Sequence, residues 1–471
     1  MLVQYTHAKE IAFMILFIHR KDLRINDLPA FDAIRYAQCS SLHVLILDSF
    51  LLRNHRGLGH SGVNFLHHVK LLQQQYAVLG KHLHILYGEP SVVVRQLLQN
   101  HPIDEIIIHA DHTPYALKRD LDLRETASSL GIKLTSYEDG TLADLQDFTR
   151  WSGRTEPYKV FTPFYRRWRV FISEQSRPPY SATLNDLDTA DLADEMMNTF
   201  PIPEEIADLL PGEVQSTIEV DRDHPFQTLE QFFNVGIYDY SNNRDQYAKD
   251  GTSQISRHLN IGALSVRDIY YNLLDVDEDA HAEAWLRQLA WRDFYLYQAQ
   301  LNPDYFRYEK LFDFSELSTV HFPAWAEGQT GIPIIDAAMR QLNETGWMPN
   351  RLRMITAMFL TKNLGCPFIY GERYFRLKLS DYDNVLNRGG WLWSSSLGFD
   401  ASPYFRVMNP VTQSQTHDPE GTYIRRWMPE LAHLSNKEIH LPQAEALVNL
   451  KGSRALAIET YKRILNSNKK G

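Results

Sequence analysis

Five short apolar runs, rich in β-branched residues, recur through the first third of the chain: Met14–Ile18, Leu42–Asp48, Leu83–Leu86, Ile103–His109 and Ile132–Ser136. Helix-period segments lie between them, notably Val63–Leu79, Ser91–Gln99 and Tyr115–Leu130. Strands that are apolar on both faces and alternate with helices predict a parallel, doubly wound sheet with right-handed crossovers. A sheet of this kind binds ligands beyond the carboxyl ends of its strands.

From Glu138 the pattern changes. Residues 186–223 are strongly acidic and punctuated by Pro201, Pro203 and Pro211, the signature of a linker wrapped on the surface. Beyond Pro225 the periodicity is helical, with apolar stripes over 256–273, 283–300, 333–344 and 350–363. The expectation is an α/β domain over 14–137 with a five-stranded parallel sheet, a connector over 138–224 and an all-helical domain over 225–471. A chain of 471 residues is long enough for more than one core.

The cysteines, Cys39 and Cys366, make neither a disulfide framework nor a zinc spacing. That favours a reducing compartment, the cytoplasm. No run is long and apolar enough to span a bilayer, and residues 1–13 lack the apolar stretch of a signal peptide. A formal charge of −10 argues against a protein that coats nucleic acid. Between Met339 and Pro410, however, nine Lys and Arg face five Asp and Glu. That surplus is either a phosphate-binding footprint or a solvated helical face.

Some motifs are decoys. Gly57-Leu-Gly59-His-Ser-Gly62 matches a dinucleotide fingerprint but trails the second predicted strand, not the first, and reads as a turn before a helix. His67-His68, and His55 with His60, lack the i, i+4 pairing and carboxylate of a zinc site, so no metal is expected.

Others carry chemistry. Gly251-Thr-Ser-Gln-Ile-Ser256 sits where the 256–273 helix should start, as a phosphate cradle or an ordinary N-cap. On the 283–300 helix, Trp285, Gln288, Trp291, Arg292 and Tyr295 form one stripe. Its polar members suit a cavity wall better than a core. Asn350-Arg-Leu-Arg353-Met354 opens a helix after Pro349, and Arg353 is a candidate partner for Asp381 or Asp383. The stretch Asn387-Arg-Gly-Gly-Trp391-Leu-Trp393 through Tyr404-Phe-Arg406 to Pro410 is aromatic yet glycine-broken, like the wall of a pocket for a flat polar ligand.

Together these segments resemble the photolyase/cryptochrome flavoproteins, most closely the class I photolyases that repair cyclobutane pyrimidine dimers. The resemblance runs from Met14 to Pro429. It is carried by Phe17–Arg24, Pro157–Phe164, Asp336–Arg340, Gly346–Met354, Gly371–Phe375 and Gly389–Pro410. It implies a U-shaped FAD in the helical domain, held by Tyr240, Thr252, Ser253, Gln254, Ile255, Ser256, Arg353, Asp381, Asp383 and Asn387. Asn387 would face flavin N5, and Trp391, Asn387, Gln288 and Met354 become the catalytic candidates. Arg244, Gln288, Trp291, Arg292, Asn350, Arg351, Trp393 and Gln413 would form the DNA face, with a flipped dimer stacked on Trp291 and Trp393. The implied partner is UV-damaged DNA, met by a monomer without a membrane. In the implied reaction, light drives an electron from FADH⁻ to the dimer, the cyclobutane bonds open, and the electron returns.

The chain departs from the family pattern at three places. Gln288 stands where dimer photolyases usually have Glu, and Gln donates a hydrogen bond but is no acid. Enzymes acting on the 6-4 photoproduct also have Gln there, but need a His where this chain has Pro349. The tryptophan chain that photoreduces the flavin keeps Trp391, but its middle position falls on Phe368 and its distal one near Phe314-Ser315. Tyr370, Tyr374 or Trp347 are the candidate detours. The segment matching the folate motif reads Tyr115-Ala116 without the Asn-Glu pair. This argues against folate and leaves a deazaflavin, a flavin or no antenna open. A blue-light-sensing cryptochrome without repair activity is the alternative function. The short Lys-rich tail past Pro410 favours repair over sensing.

Overall fold

A computed structural model describes residues 13–54, 56–210, 225–276 and 281–467. His55, Pro211 and the end of the acidic stretch lie outside these residues.

All five expected strands form: β1 (Met14–His19), β2 (Ser40–Asp48), β3 (His84–Gly88), β4 (Glu105–His109) and β5 (Lys133–Tyr137). They pair in parallel in the order β3-β2-β1-β4-β5. Side chains alternate across this sheet. Ile15, Phe17, Leu45 and Ile107 pack on one face; Leu16, Ile18, Val44, Ile106 and Ile108 pack on the other. The crossover helices are α1 (Pro29–Ala37), α2 (His60–Val78), α3 (Pro90–Asn100) and α4 (Pro114–Ser129). Three of them start with proline, whose fixed φ suits the first helical position. Gly59 caps α2, so the fingerprint-like glycines are a turn, tight enough that a Cβ on Gly62 would lie 2.2 Å from the Arg56 carbonyl oxygen.

The connector is not a loose wrap. Leu142, Phe148 and helix α5 (Phe161–Gln175) share a core with Leu229, Trp285 and Phe294 of the helical region. Leu184, Leu187, Ile206 and Leu210 pack into the α/β core, and a two-residue strand, β6 (Thr189–Ala190), pairs with β2. Apolar residues scattered among the acids anchor the segment, whereas the charge pattern alone reports only its outer face.

Helices α6 (Val266–Leu274), α7 (Ala282–Leu301), α8 (Pro333–Thr345), α9 (Asn350–Met358), α10 (Phe368–Lys378), α11 (Asn384–Ser394), α12 (Pro410–His417) and α13 (Leu450–Ser467) build the second body. The single helix expected over 256–273 is broken into one turn, Ser256–Leu259, and α6, which is capped by Ser265. The break falls at Gly262, with φ +69, where a Cβ would sit 2.0 Å from the Lys21 carbonyl oxygen. The helical body docks on the loop after β1 here, and Leu23 N–H donates to the Ile261 carbonyl at 3.2 Å.

A buried ionic cluster locks this joint. Asp139 accepts from Arg24 Nη2 at 2.7 and 2.8 Å and from Arg267 Nη2 at 2.6 Å. Arg267 Nε reaches both oxygens of Asp27 at 3.0 Å.

Candidate functional site

Helix α11 lies at the centre of the site, packed against α7, α9 and α10. Two glycines permit this approach. A Cβ on Gly389 would come within 2.3 Å of the Tyr295 ring on α7, and one on Gly371 within 2.0 Å of the Trp391 indole. The helix starts at Asp383, whose carboxylate accepts from Val385 N–H at 2.8 Å and Leu386 N–H at 2.9 Å.

The cofactor candidates converge. Asp381 Oδ2 accepts from Arg353 Nη2 at 2.9 Å and from Ser256 Oγ at 2.8 Å, while Asn260 donates to the Asp381 carbonyl. Ser253 Oγ accepts from Trp285 Nε1 at 3.4 Å, and Gln254 takes a left-handed φ of 52°. Thr252 is half-buried beside it, Ile255 is buried, and Tyr240 is buried against Phe232. Asn387 donates to the Glu372 carbonyl at 3.0 Å. Met354, half-buried, accepts from Asn350 Nδ2 at 3.6 Å. The hydroxyl run therefore flanks Asp381 through one helical turn and does not head a long helix.

The DNA-face candidates divide. Arg351 pairs with Asp245 and reaches Gln413 Oε1 at 3.5 Å, with Arg244 Nε 4.0 Å from Asp245. The Trp291 ring is half-buried and stacks on Phe161, centroids 3.6 Å apart and planes within 5°. Gln288 donates to the Ala284 carbonyl at 3.2 Å, and Trp393 is half-buried on α11. Arg292 is placed elsewhere. One residue past Trp291 it turns about 100° round the helix, donates to the Gly140 carbonyl and lines the cleft between the two bodies.

The basic surplus is largely spent internally. Arg340, Arg351, Arg353 and Arg388 are held in ion pairs. Lys362 is buried over the Tyr461 ring, where burial pushes its ammonium down to about 6. The footprint expected from composition is narrower in the fold.

The cleft is a second site, with a volume of about 690 Å³, at the carboxyl ends of β1 and β4 where the strand order reverses. Tyr115 stacks on Phe50 at 4.5 Å and its hydroxyl donates to Asp48. Arg20 and Arg119 share Asp120, and each keeps a buried Nη2 with no partner among the described residues. Burial, with Arg119 close by, lowers the Arg20 guanidinium to about 10. Sequence reading did not anticipate this basic lining; its residues come from separate strands and helices.

Two buried polar atoms near α11, Asp381 Oδ1 and Trp391 Nε1, also have no partner among the described residues. Such groups are costly unless a ligand or water meets them. The orphaned oxygen of Asp381, a carboxylate already held by Ser256 and Arg353, and the free indole N–H of Trp391 on α11 fit the hydroxyl- and heteroatom-rich groups of FAD.

Comparison with known proteins agrees. The family model for the FAD binding domain of DNA photolyase matches residues 285–470, and the DNA photolyase model matches residues 15–180. A deoxyribodipyrimidine photo-lyase of Alkalihalophilus pseudofirmus is 37% identical over 80% of this chain and 79% of its own. Among solved structures, the Sulfolobus tokodaii archaeal photolyase with two FAD molecules aligns at a TM-score of 0.78 and 28% identity, covering 96% of this chain and 100% of its own. The Synechocystis cryptochrome aligns at 0.82 and 27%, covering 97% and 100%. With a model matching each half and that relative across most of its length, the chain belongs to the DNA photolyase family and takes FAD as its cofactor.

Proposed function

We propose that this chain repairs cyclobutane pyrimidine dimers in UV-damaged DNA by light-driven electron transfer. The observation that carries the reading is the pair of half-buried indoles, Trp291 and Trp393, on the packed helices α7 and α11. Phe161 stacks on Trp291 at 3.6 Å, and Phe294 and Tyr295 lie 5.7 Å from it, so the indole is held as a rigid plate for a flipped base. Stacking on an aromatic is worth about 1–3 kcal/mol per base, which offsets part of the cost of leaving the duplex.

Reduced FAD, when bound, supplies the photoexcited electron that opens the cyclobutane ring. The side chains do the rest. Gln288 offers an amide N–H to the lesion without a proton to transfer. Arg351, Asn350, Arg244 and Gln413 meet the phosphates, and Asn387 presents a neutral amide to the flavin ring. Arg353 keeps the Asp381 carboxylate compensated, so the pocket carries no lone buried anion.

The interdomain cleft takes a second, light-harvesting ligand. The Phe50–Tyr115 stack and the unused Arg20 and Arg119 donors suit a planar ring bearing an anionic group. The Sulfolobus photolyase with its two FAD molecules supports a flavin-type occupant over folate.

The test is light-dependent repair of a defined thymine-dimer oligonucleotide by purified, chemically reduced protein against a dark control. A second reading, blue-light sensing, draws on the likeness to the Synechocystis cryptochrome. No repair with reduced FAD bound would select it.

A further inference from the structure

Trp391 is buried, with its indole N–H directed to no acceptor among the described residues. Any electron that a photoexcited oxidised flavin draws from this indole must be replaced from the protein surface. The family resemblance makes Phe368 the position that would refill it, with its ring centroid 6.1 Å from that of Phe314. A phenyl ring is much harder to oxidise than an indole. The Arg388 guanidinium also lies 5.3 Å from the Phe368 ring centroid, and a fixed cation opposes placing a second positive charge there.

The fold provides another neighbour. Among the described residues, Trp391 meets two rings: Phe375, with centroids 5.0 Å apart, and Trp325, at 6.0 Å and 75°. Trp325 is fully buried, and its Nε1 donates to the Thr356 carbonyl at 3.1 Å. A peptide carbonyl is no base, so an oxidised Trp325 cannot discharge by losing its proton and must be refilled. Its ring lies 5.9 Å from that of Tyr374, whose hydroxyl meets Asn343 Oδ1 at 2.6 Å and the Ala326 carbonyl at 2.9 Å but which, unlike the fully buried Trp325, is partly exposed to water. Indole, indole and phenol thus follow one another from the flavin side to solvent. Trp347 lies under the Arg353 guanidinium at 5.4 Å; Tyr374 has Lys378 Nζ 5.6 Å from its ring centroid, but a phenol that loses its proton on oxidation leaves no positive charge for that cation to oppose.

We propose that Trp391, Trp325 and Tyr374 form the photoreduction relay of this chain, replacing the route that Phe368 interrupts. The proposal rests on FAD lying against Trp391. For each photon, Trp391 gives up one electron inward, Trp325 refills Trp391, and Tyr374 refills Trp325 while releasing its phenolic proton to solvent. A thiol reductant then returns a hydrogen atom to the tyrosyl radical. Two turns consume two thiols and balance as FAD + 2 RSH → FADH⁻ + RSSR + H⁺.

The experiment is blue-light photoreduction of the purified, oxidised flavoprotein with dithiothreitol, together with transient absorption after a flash. Trp325→Phe is expected to lose rapid photoreduction and the long-lived radical while keeping its flavin content and visible spectrum. Tyr374→Phe is expected to lose the tyrosyl signal and retain a tryptophanyl one, which a merely structural role for Tyr374 would not produce. Flavin-loaded Trp325→Phe that photoreduces at the unmodified rate overturns the relay alone, as does a tyrosyl radical that survives Tyr374→Phe. If Trp325→Phe fails to fold, the Tyr374→Phe flash experiment decides. A chain that purifies without flavin and takes none up overturns the cofactor site and the relay with it.

Discussion

Replacing Asp139 with Asn strikes the cluster that joins the α/β layer to the helical body. In the native chain, Arg24 and Arg267 share the Asp139 carboxylate, and Arg267 also pairs with that of Asp27, two cations against two anions, all buried. Asn is nearly isosteric, so no cavity opens, but two guanidiniums are left facing one carboxylate. Removing one member of a buried ion pair costs about 3–5 kcal/mol, because the surviving charge is uncompensated. The Asn carbonyl can still accept one of the three hydrogen bonds, which places the expectation at about 3 kcal/mol. That is a large share of a total stability of about 5–15 kcal/mol. Burial alone would raise the Asp139 pKa, but Arg24 and Arg267 outweigh it and hold the carboxyl well below the usual range. A carboxylate with a depressed folded pKa stabilises the fold above its unfolded pKa of about 4, and that contribution is lost as pH falls toward the folded value. The gap between the native chain and Asp139→Asn should therefore be widest near neutrality and shrink below about pH 4. Urea unfolding followed by circular dichroism and by tryptophan fluorescence at both pH values measures it; two probes are needed because a two-body chain need not unfold in one step. A difference under about 1 kcal/mol at neutral pH, the size of an exposed pair, would refute a buried latch.

Gly371→Ala forces a methyl to within 2.0 Å of the Trp391 indole. Overpacking of about 1–3 kcal/mol, less about 1 kcal/mol of helix propensity gained, gives a lower urea midpoint and reduced flavin retention; unchanged values for both would count against the tight α10–α11 contact. Gln288→Glu should raise the quantum yield of dimer repair by restoring an acid at the lesion, and an equal or lower yield would remove that role. Arg351→Ala should weaken DNA binding evenly across sequences and lower the salt slope by about one. Asp245→Asn, by releasing the same guanidinium, should strengthen binding, as read from affinity titrations at several salt concentrations.

Much of the fold was legible because hydrophobic period is a local signal. The five strands and helices α2, α3, α4, α7, α8 and α9 fall where the stripes predict. Period says nothing of docking. The 256–273 stripe reads as one helix, yet Gly262 breaks it because the Lys21 backbone of another body occupies that space. The acidic connector reads as a surface wrap, yet Leu184, Leu187 and Ile206 bury themselves in the sheet's core. A charge count finds nine cations over 339–410, but only folding shows that carboxylates from distant segments, such as Asp245, Glu309 and Glu430, neutralise several of them.

The sequence by itself determined the element types, the parallel sheet of the first third and the helical remainder, and the residue kinds available to a flavin, since these depend on neighbours along the chain. Tertiary structure alone decided that Arg292 turns into the cleft, that Phe161 backs Trp291, and that Trp325 stands beside Trp391. Each of those contacts joins segments remote in sequence, brought together only by helix packing and by the buried charges at the joint, so no local pattern announces them.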